Sequence, residues 1–283
     1  MLYLSSIKFP DEDKQYKFIL KQERTCYNSF YPFMILTKHQ FNRIDFENIT
    51  ILYGNNGCGK STALNIIAQK LEVERSSVFN KTSFYQDFVD MCSVDINSEP
   101  YIKRIITSDD IFDYMLNIRT LNQSIDYKRE DMFKEYIDLK YSKVTMNSLD
   151  DYEDLKRSNY AKRITQSKFI KEHLTNNVRT YSNGESSYKY FLEKIDENGL
   201  FILDEPENSL SPSKQIELIG LIQDYTKYFG CQFIISTHSP FLLSIKNAKI
   251  YNLDEDPVSV RKWTELDNVK MYYEFFKERE NEF

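Results

Sequence analysis

Apolar residues recur along this chain with two different periods. Ile49–Tyr53, Leu200–Leu203, Gln232–Ser236 and Lys249–Leu253 are short, largely unbroken runs of apolar and β-branched residues between polar turns. Runs of that length predict strands buried on both faces. Between the first two runs, Ala63, Leu64, Ile67, Ala68 and Leu71 share one face of a predicted helix. Ser187–Ile195 predicts a second helix. A third starts at Ser211 and Pro212, an N-cap residue followed by proline at the first helical position, and Gly230 ends it. An aromatic-rich helix is predicted near Val269–Glu278. Residues 1–53 read as short strands. Residues 78–180 are polar, charged and helically spaced, and contain none of the chain's 7 glycines. The expected architecture is therefore an α/β fold, a mixed sheet flanked by helices. Residues 1–77 and 181–283 form its two parts, and 78–180 form a mostly helical insertion. Neither an internal repeat nor a long heptad pattern is present.

Composition narrows this picture. With 283 residues, 41% hydrophobic and 28% charged, the chain can bury a substantial core. A net charge of -6 gives no general attraction to nucleic acid or an anionic membrane, so such a contact needs a local patch. Cys26, Cys58, Cys92 and Cys231 are widely spaced, as are His39, His173 and His238, which argues against a zinc site or a disulfide framework. The N-terminal residues do not form a signal peptide, and no apolar run is long enough to span a bilayer. A cytoplasmic protein without a membrane partner is expected.

Three motifs carry chemistry. Gly54-Asn55-Asn56-Gly57-Cys58-Gly59-Lys60-Ser61-Thr62 follows a predicted strand and opens a predicted helix. It fits G-x-x-x-x-G-K-[ST], whose backbone N–H groups wrap phosphates at a helix N-terminus. Lys60 would reach the β- and γ-phosphates of ATP and Ser61 would ligate Mg²⁺. At the end of the Leu200–Leu203 strand stand Asp204, placed to hold Mg²⁺, and Glu205, placed to act as general base on an attacking water. His238 follows the next buried strand, within reach of the same water and phosphate. Cys58 has two readings. A thiol near a helix N-terminus can become reactive, whereas a variable loop position simply accepts a small residue.

Tyr181-Ser182-Asn183-Gly184-Glu185 resembles the ABC signature L-S-G-G-Q/E: Ser and the second Gly match, while Tyr, Asn and Glu depart. With the phosphate loop, Leu203-Asp204-Glu205-Pro206 and Ser236-Thr237-His238-Ser239-Pro240, it makes the chain similar to ABC-type ATPases. The style is that of the SMC/RecF-like, non-transport branch. More narrowly, Glu205-Pro206-Glu207 through Leu210-Ser211-Pro212 resembles small stand-alone bacterial proteins labelled AAA family ATPase. The resemblance implies a P-loop NTPase fold and a homodimer that sandwiches two ATP molecules. Ser182, Asn183, Gly184 and Glu185 would then face the γ-phosphate held by the other subunit. Ser211 stands where the family carries its D-loop aspartate. Gln86 is the best candidate for the Q-loop glutamine, and Tyr31 and Phe33 are candidates to stack on adenine.

Lys156, Arg157, Lys162, Arg163, Lys168 and Lys171 lie in a stretch without acidic residues, interleaved with Tyr160 and Phe169. This is either a nucleic-acid strip or a solvated helix face. For the whole chain, an ATP-hydrolysing switch acting on nucleic acid or a partner protein leads. The alternatives are an ATP-binding regulator without turnover, a transporter-type ATPase subunit, and a P-loop kinase or GTPase. The order of Asp196–Gly199 and Asn80-Lys81 is wrong for a GTPase.

Overall fold

The structure is a computed structural model and describes residues 1–23, 26–143, 151–178 and 183–283. The chain divides into two compact units, Met1–Phe112 with Asn183–Phe283, and Asp113–Ser182.

The first unit is built on a six-stranded sheet in the order β5 (Ile102–Thr107), β6 (Gly199–Asp204), β7 (Gln232–Ser236), β3 (Ile49–Tyr53), β8 (Lys249–Asn252), β9 (Ser259–Arg261). Every pairing is parallel except β8 with β9. The central strands β3 and β7 are buried along their whole length, as their apolar runs require. A second, antiparallel sheet has the order β2 (Arg43–Asp45), β1 (Leu4–Lys8), β4 (Ser93–Ile96). The side chain of Gln232, at the start of β7, ties the two sheets together. Its Oε1 accepts from the Tyr3 and Leu4 amides, both at 2.9 Å, and its Nε2 donates to Leu4 O at 2.8 Å. A buried amide so fully paired costs little and fixes register.

Helix α1 (Glu12–Leu20) lies in the region read as strands. It is capped by Asp11, which accepts from Lys14 N at 2.8 Å. Helix α2 (Lys60–Lys70) buries Ala63, Leu64, Ile66, Ile67 and Ala68 in the main core together with residues of both sheets. Helix α3 (Tyr85–Met91) adds Tyr85, Phe88 and Val89 to that core.

Residues 78–107, expected to be helical, instead supply β4 and β5 besides α3, and they belong to the first unit. Both are edge strands whose outer positions carry charge, which hides the alternation that would reveal them. Helix α4 (Ser108–Tyr141) begins after β5.

The second unit holds most of α4 with α5 (Tyr152–Arg163) and α6 (Gln166–His173), around a small core of Tyr136, Ala161 and Phe169. The chain then returns to the first unit through α7 (Asn183–Lys194), α8 (Pro212–Tyr228), α9 (Pro240–Leu243) and α10 (Asp267–Glu278). Ser211 occupies the N-cap of α8, but its side chain makes no cap bond. Its hydroxyl lies 3.1 Å from that of Ser213. Among the described residues no helix is long and apolar enough to cross a membrane.

Candidate functional site

The sheet places its chemistry at the C-terminal ends of β3, β6 and β7, which lie side by side in the order β6, β7, β3. The loop 54–59 leaves β3 and turns into α2. Gly59 has φ +100 and Gly54 makes a close approach: a Cβ there would meet Cys58 Sγ at 2.6 Å and Asp254 Oδ1 at 3.1 Å. Both positions therefore need glycine. Lys60 is 4% exposed and folds back over its own loop. Its Nζ donates to Gly54 O at 2.8 Å and Asn55 O at 3.2 Å, and stands 3.6 Å from Glu205 Oε1.

At the end of β6, Asp204 Oδ1 accepts from Ser61 Oγ at 3.1 Å and from Ser236 Oγ. Burial pushes the Asp204 carboxyl upward, opposed by those two hydroxyl bonds. Ser61 and Asp204, a hydroxyl and a carboxylate side by side, are hard oxygen donors that fit Mg²⁺. That ion keeps waters and phosphate oxygens for its other positions, so two protein ligands suffice. Glu205 takes a left-handed backbone (φ 48, ψ 55), a strained conformation for a non-glycine residue. It is held by its amide, which donates to Ser236 O at 3.1 Å, and by Asn208 Nδ2, which donates to its Oε2 at 3.0 Å.

Beside these groups opens a cavity of about 760 Å³ whose lining includes Ser61, Thr62, Asp204 and Glu205 together with Tyr31, Asn65, Arg75 and Phe79. Tyr31 OH donates to Thr62 Oγ1 at 3.2 Å. The Arg75 guanidinium lies 4.0 Å over the Phe79 ring and donates to Asn65 Oδ1 at 3.0 Å. Of the two candidates for stacking on adenine, Tyr31 lines this cavity. Phe33 does not: it is buried in the core, stacked on Phe18 at 4.7 Å.

Gln86 is not brought to the site. It lies on α3, whose inner face is taken by Tyr85, Phe88 and Val89, and its amide donates to Asp90 one turn on at 2.9 Å. Cys58 is buried and its thiol is pushed upward by burial, with the Lys60 charge a smaller opposing effect, which favours the small-residue reading over a reactive thiol. His238 follows β7, but it does not line this cavity: its half-exposed side chain lines a separate one together with Glu207, Pro240 and Tyr272. Of the signature, Ser182 lies outside the described residues. Asn183 and Gly184 open α7, with Glu185 in its first turn. A Cβ on Gly184 would lie 3.6 Å from Ser211 N, and neither Gly184 nor Glu185 lines the cavity.

Sequence reasoning missed Arg75, Asp254 and the role of Ser236. Asp254, just past β8, accepts from Asn55 N at 2.8 and 3.0 Å and from Asn55 Nδ2 at 3.0 Å, clamping the start of the phosphate loop. Its position after a sheet strand was the available signal. Arg75 had none.

Two family models match the chain. The family model described as "ABC transporter" matches residues 42–208, and one described as "AAA domain, putative AbiEii toxin, Type IV TA system" matches residues 177–244. A search of curated proteins finds no match. Similar solved structures include the Smc head domain of Pyrococcus furiosus bound to the C-terminal domain of ScpA (13% identity, 82% of this chain and 94% of that chain, TM-score 0.40). Another is the SMC head domain of Thermotoga maritima (12%, 92% and 99%, 0.37). A third is a dimeric ATP-binding cassette in a post-hydrolysis state with ADP and Pi (13%, 78% and 90%, 0.36).

Proposed function

We propose, for a chain that belongs to the ABC transporter family of ATP-binding cassettes, that it is a Mg²⁺-dependent ATPase working as an ATP-dependent homodimer. The observation that carries this reading is the convergence of Ser61, Asp204 and Glu205 on one cavity with Lys60 buried beside them: Lys60 lies 3.6 Å from Glu205, and Ser61 lies 3.1 Å from Asp204. Arriving phosphates would draw Lys60 off its own loop carbonyls. Ser61 and Asp204 would hold Mg²⁺, which offsets phosphate charge. Glu205 would take a proton from the attacking water, and His238 would face the γ-phosphate.

Gly184 and Glu185 do not line the cavity of their own chain. That supports the signature segment, residues 182–185, being supplied to the site by a second copy. A cytoplasmic location fits four unpaired cysteines. We assign the helical unit the sensing of nucleic acid or a partner protein, through the exposed Lys156, Arg157, Lys162, Arg163, Lys168 and Lys171. Phe169 is core, so Tyr160 alone of the interleaved aromatics is open to a base. Reversing charge at Arg157 and Arg163 tests the nucleic-acid arm, which is abandoned if DNA and RNA binding stay unchanged.

The deciding experiment is ATP turnover and solution mass with and without MgATP. Wild type should turn over, and Glu205→Gln should lose turnover by about a hundredfold or more, bind ATP and accumulate as a dimer. A wild type that binds ATP without turnover or dimerisation would leave a binding-only regulator.

A further inference from the structure

Glu207 has no part in the reaction just described, yet it is among the most heavily engaged carboxylates near the site. It is 7% exposed. Its Oε1 accepts from Thr237 Oγ1 at 2.6 Å, from the His238 amide at 2.9 Å and from the Ser239 amide at 3.2 Å, and lies 3.4 Å from His238 Nδ1. Among the described residues its buried Oε2 has no hydrogen-bond partner. A buried carboxylate is costly, and three donors converging on one oxygen while the other stays bare is not how a structural anion is best satisfied. The loop that supplies the donors is the one carrying His238. That loop is also held from other sides: Asn268 Nδ2 donates to His238 O at 2.6 Å, and Ser239 Oγ donates to Gln215 Oε1 at 2.6 Å.

We infer that Glu207 is a positioning residue for His238, holding its loop by two amides and a hydroxyl and holding its imidazole with the proton on Nδ1, so that Nε2 is the nitrogen presented to the reactants. A neutral imidazole has one protonated nitrogen, and the acceptor beside the other decides which. A carboxylate behind a catalytic histidine acts this way in general: it sets tautomer and orientation without moving a proton itself. At 3.4 Å the Nδ1–Oε1 contact is a close approach and not yet a hydrogen bond; the proposed bond forms when the loop closes on its reactants. Glu207 reaches the His238 loop because Pro206–Ser209 form a single 3₁₀ turn after the strained Glu205, which turns the second glutamate inward under the loop after β7. The two glutamates of Glu205-Pro206-Glu207 thereby receive different tasks from one turn of backbone.

The inference rests on the proposed reaction for its kinetic consequence but not for its structural one, so the test reads both. Imidazole ¹⁵N spectra, with His238 assigned by loss of its signals in His238→Ala, should show Nδ1–H in the wild-type protein and mainly Nε2–H in Glu207→Ala. Glu207→Gln keeps an acceptor oxygen for the loop donors and should give an intermediate ratio with an unchanged fold. In turnover, Glu207→Ala should lower kcat about tenfold or more with the KM for ATP within about twofold. Gln should recover part of the loss. Glu207→Ala combined with His238→Ala should be no slower than His238→Ala alone.

An Nε2–H tautomer in wild type, or effects of the two substitutions that multiply, would overturn the inference. Should Glu207→Ala fail to fold, the Gln variant decides, and a wild-type tautomer ratio in it overturns the proposal. A wild type without turnover would overturn the proposed reaction, while the spectra would still decide the role of Glu207.

Discussion

Cys92 shows how one buried side chain writes itself into the pH dependence of the protein. It is 3% exposed, and burial pushes its thiol from 9.0 up to about 12. Between those values the unfolded chain releases the proton and the native chain keeps it. Stability from this group is therefore complete below pH 9 and is lost as pH rises toward 12. The slope is about 1.4 kcal/mol per pH unit. Urea unfolding between pH 8.5 and 11 should show this decline, and Cys92→Ala should flatten it by about that amount. It should not abolish it, because burial shifts the Tyr85 hydroxyl in the same direction. Cys26 is exposed and should take up iodoacetamide first, with Cys58, Cys92 and Cys231 protected until unfolding. At this scale the sequence read well wherever a residue type is demanded by its chemistry: Lys60, Ser61, Asp204 and Glu205 meet where their motifs say. It read poorly for Gln86, because a glutamine on a short helix has no chemistry that fixes which way it faces.

Among the elements, helix α4 begins with a reciprocal cap. Thr107 Oγ1 accepts from the Asp110 amide at 3.3 Å, and Asp110 Oδ2 accepts from the Thr107 amide and hydroxyl, both at 2.8 Å. Asp110 Oδ1 also accepts from Ser77 N at 2.8 Å, so the same carboxylate pins the segment that follows Arg75 along the cavity. Asp110→Ala strands buried donors and should cost about 2 kcal/mol in chemical denaturation. Asp110→Asn should cost less, since it keeps an acceptor. The long parallel strands were legible as elements because burial on both faces demands unbroken apolar runs. Strands β4 and β5 were not, since each lies at a sheet edge and charged residues, such as Lys103 and Arg104 on the two faces of β5, interrupt the apolar run. Helix α1 was hidden for the opposite reason: its one fully buried side chain is polar, Gln15, whose amide donates to Pro10 O at 2.7 Å and accepts from Met34 N at 2.7 Å.

For the molecule as a whole, a ligand that binds the folded form alone raises stability by mass action. MgATP at a hundred times its Kd should add about 2.7 kcal/mol and raise Tm measurably in thermal unfolding. In Asp204→Asn the Mg²⁺-dependent part of that rise should vanish while the shift from ATP alone remains. A rise of equal size in both proteins would remove Asp204 from the metal site.

The amino-acid sequence alone determined the α/β class, the strand–loop–helix at Gly54–Thr62 and the carboxylate pair after β6. Each of these is a local pattern: a run, a turn or a spacing that backbone geometry and phosphate chemistry impose within a few residues. The tertiary structure alone decided which strands neighbour each other, and so which loops face one cavity. It also decided that Asp254, almost two hundred positions away, clamps Asn55, and that Glu207 holds the loop carrying His238. Those pairings depend on the crossovers that set strand order β6, β7, β3, β8, and strand order is fixed by packing across the whole sheet, which no local spacing records.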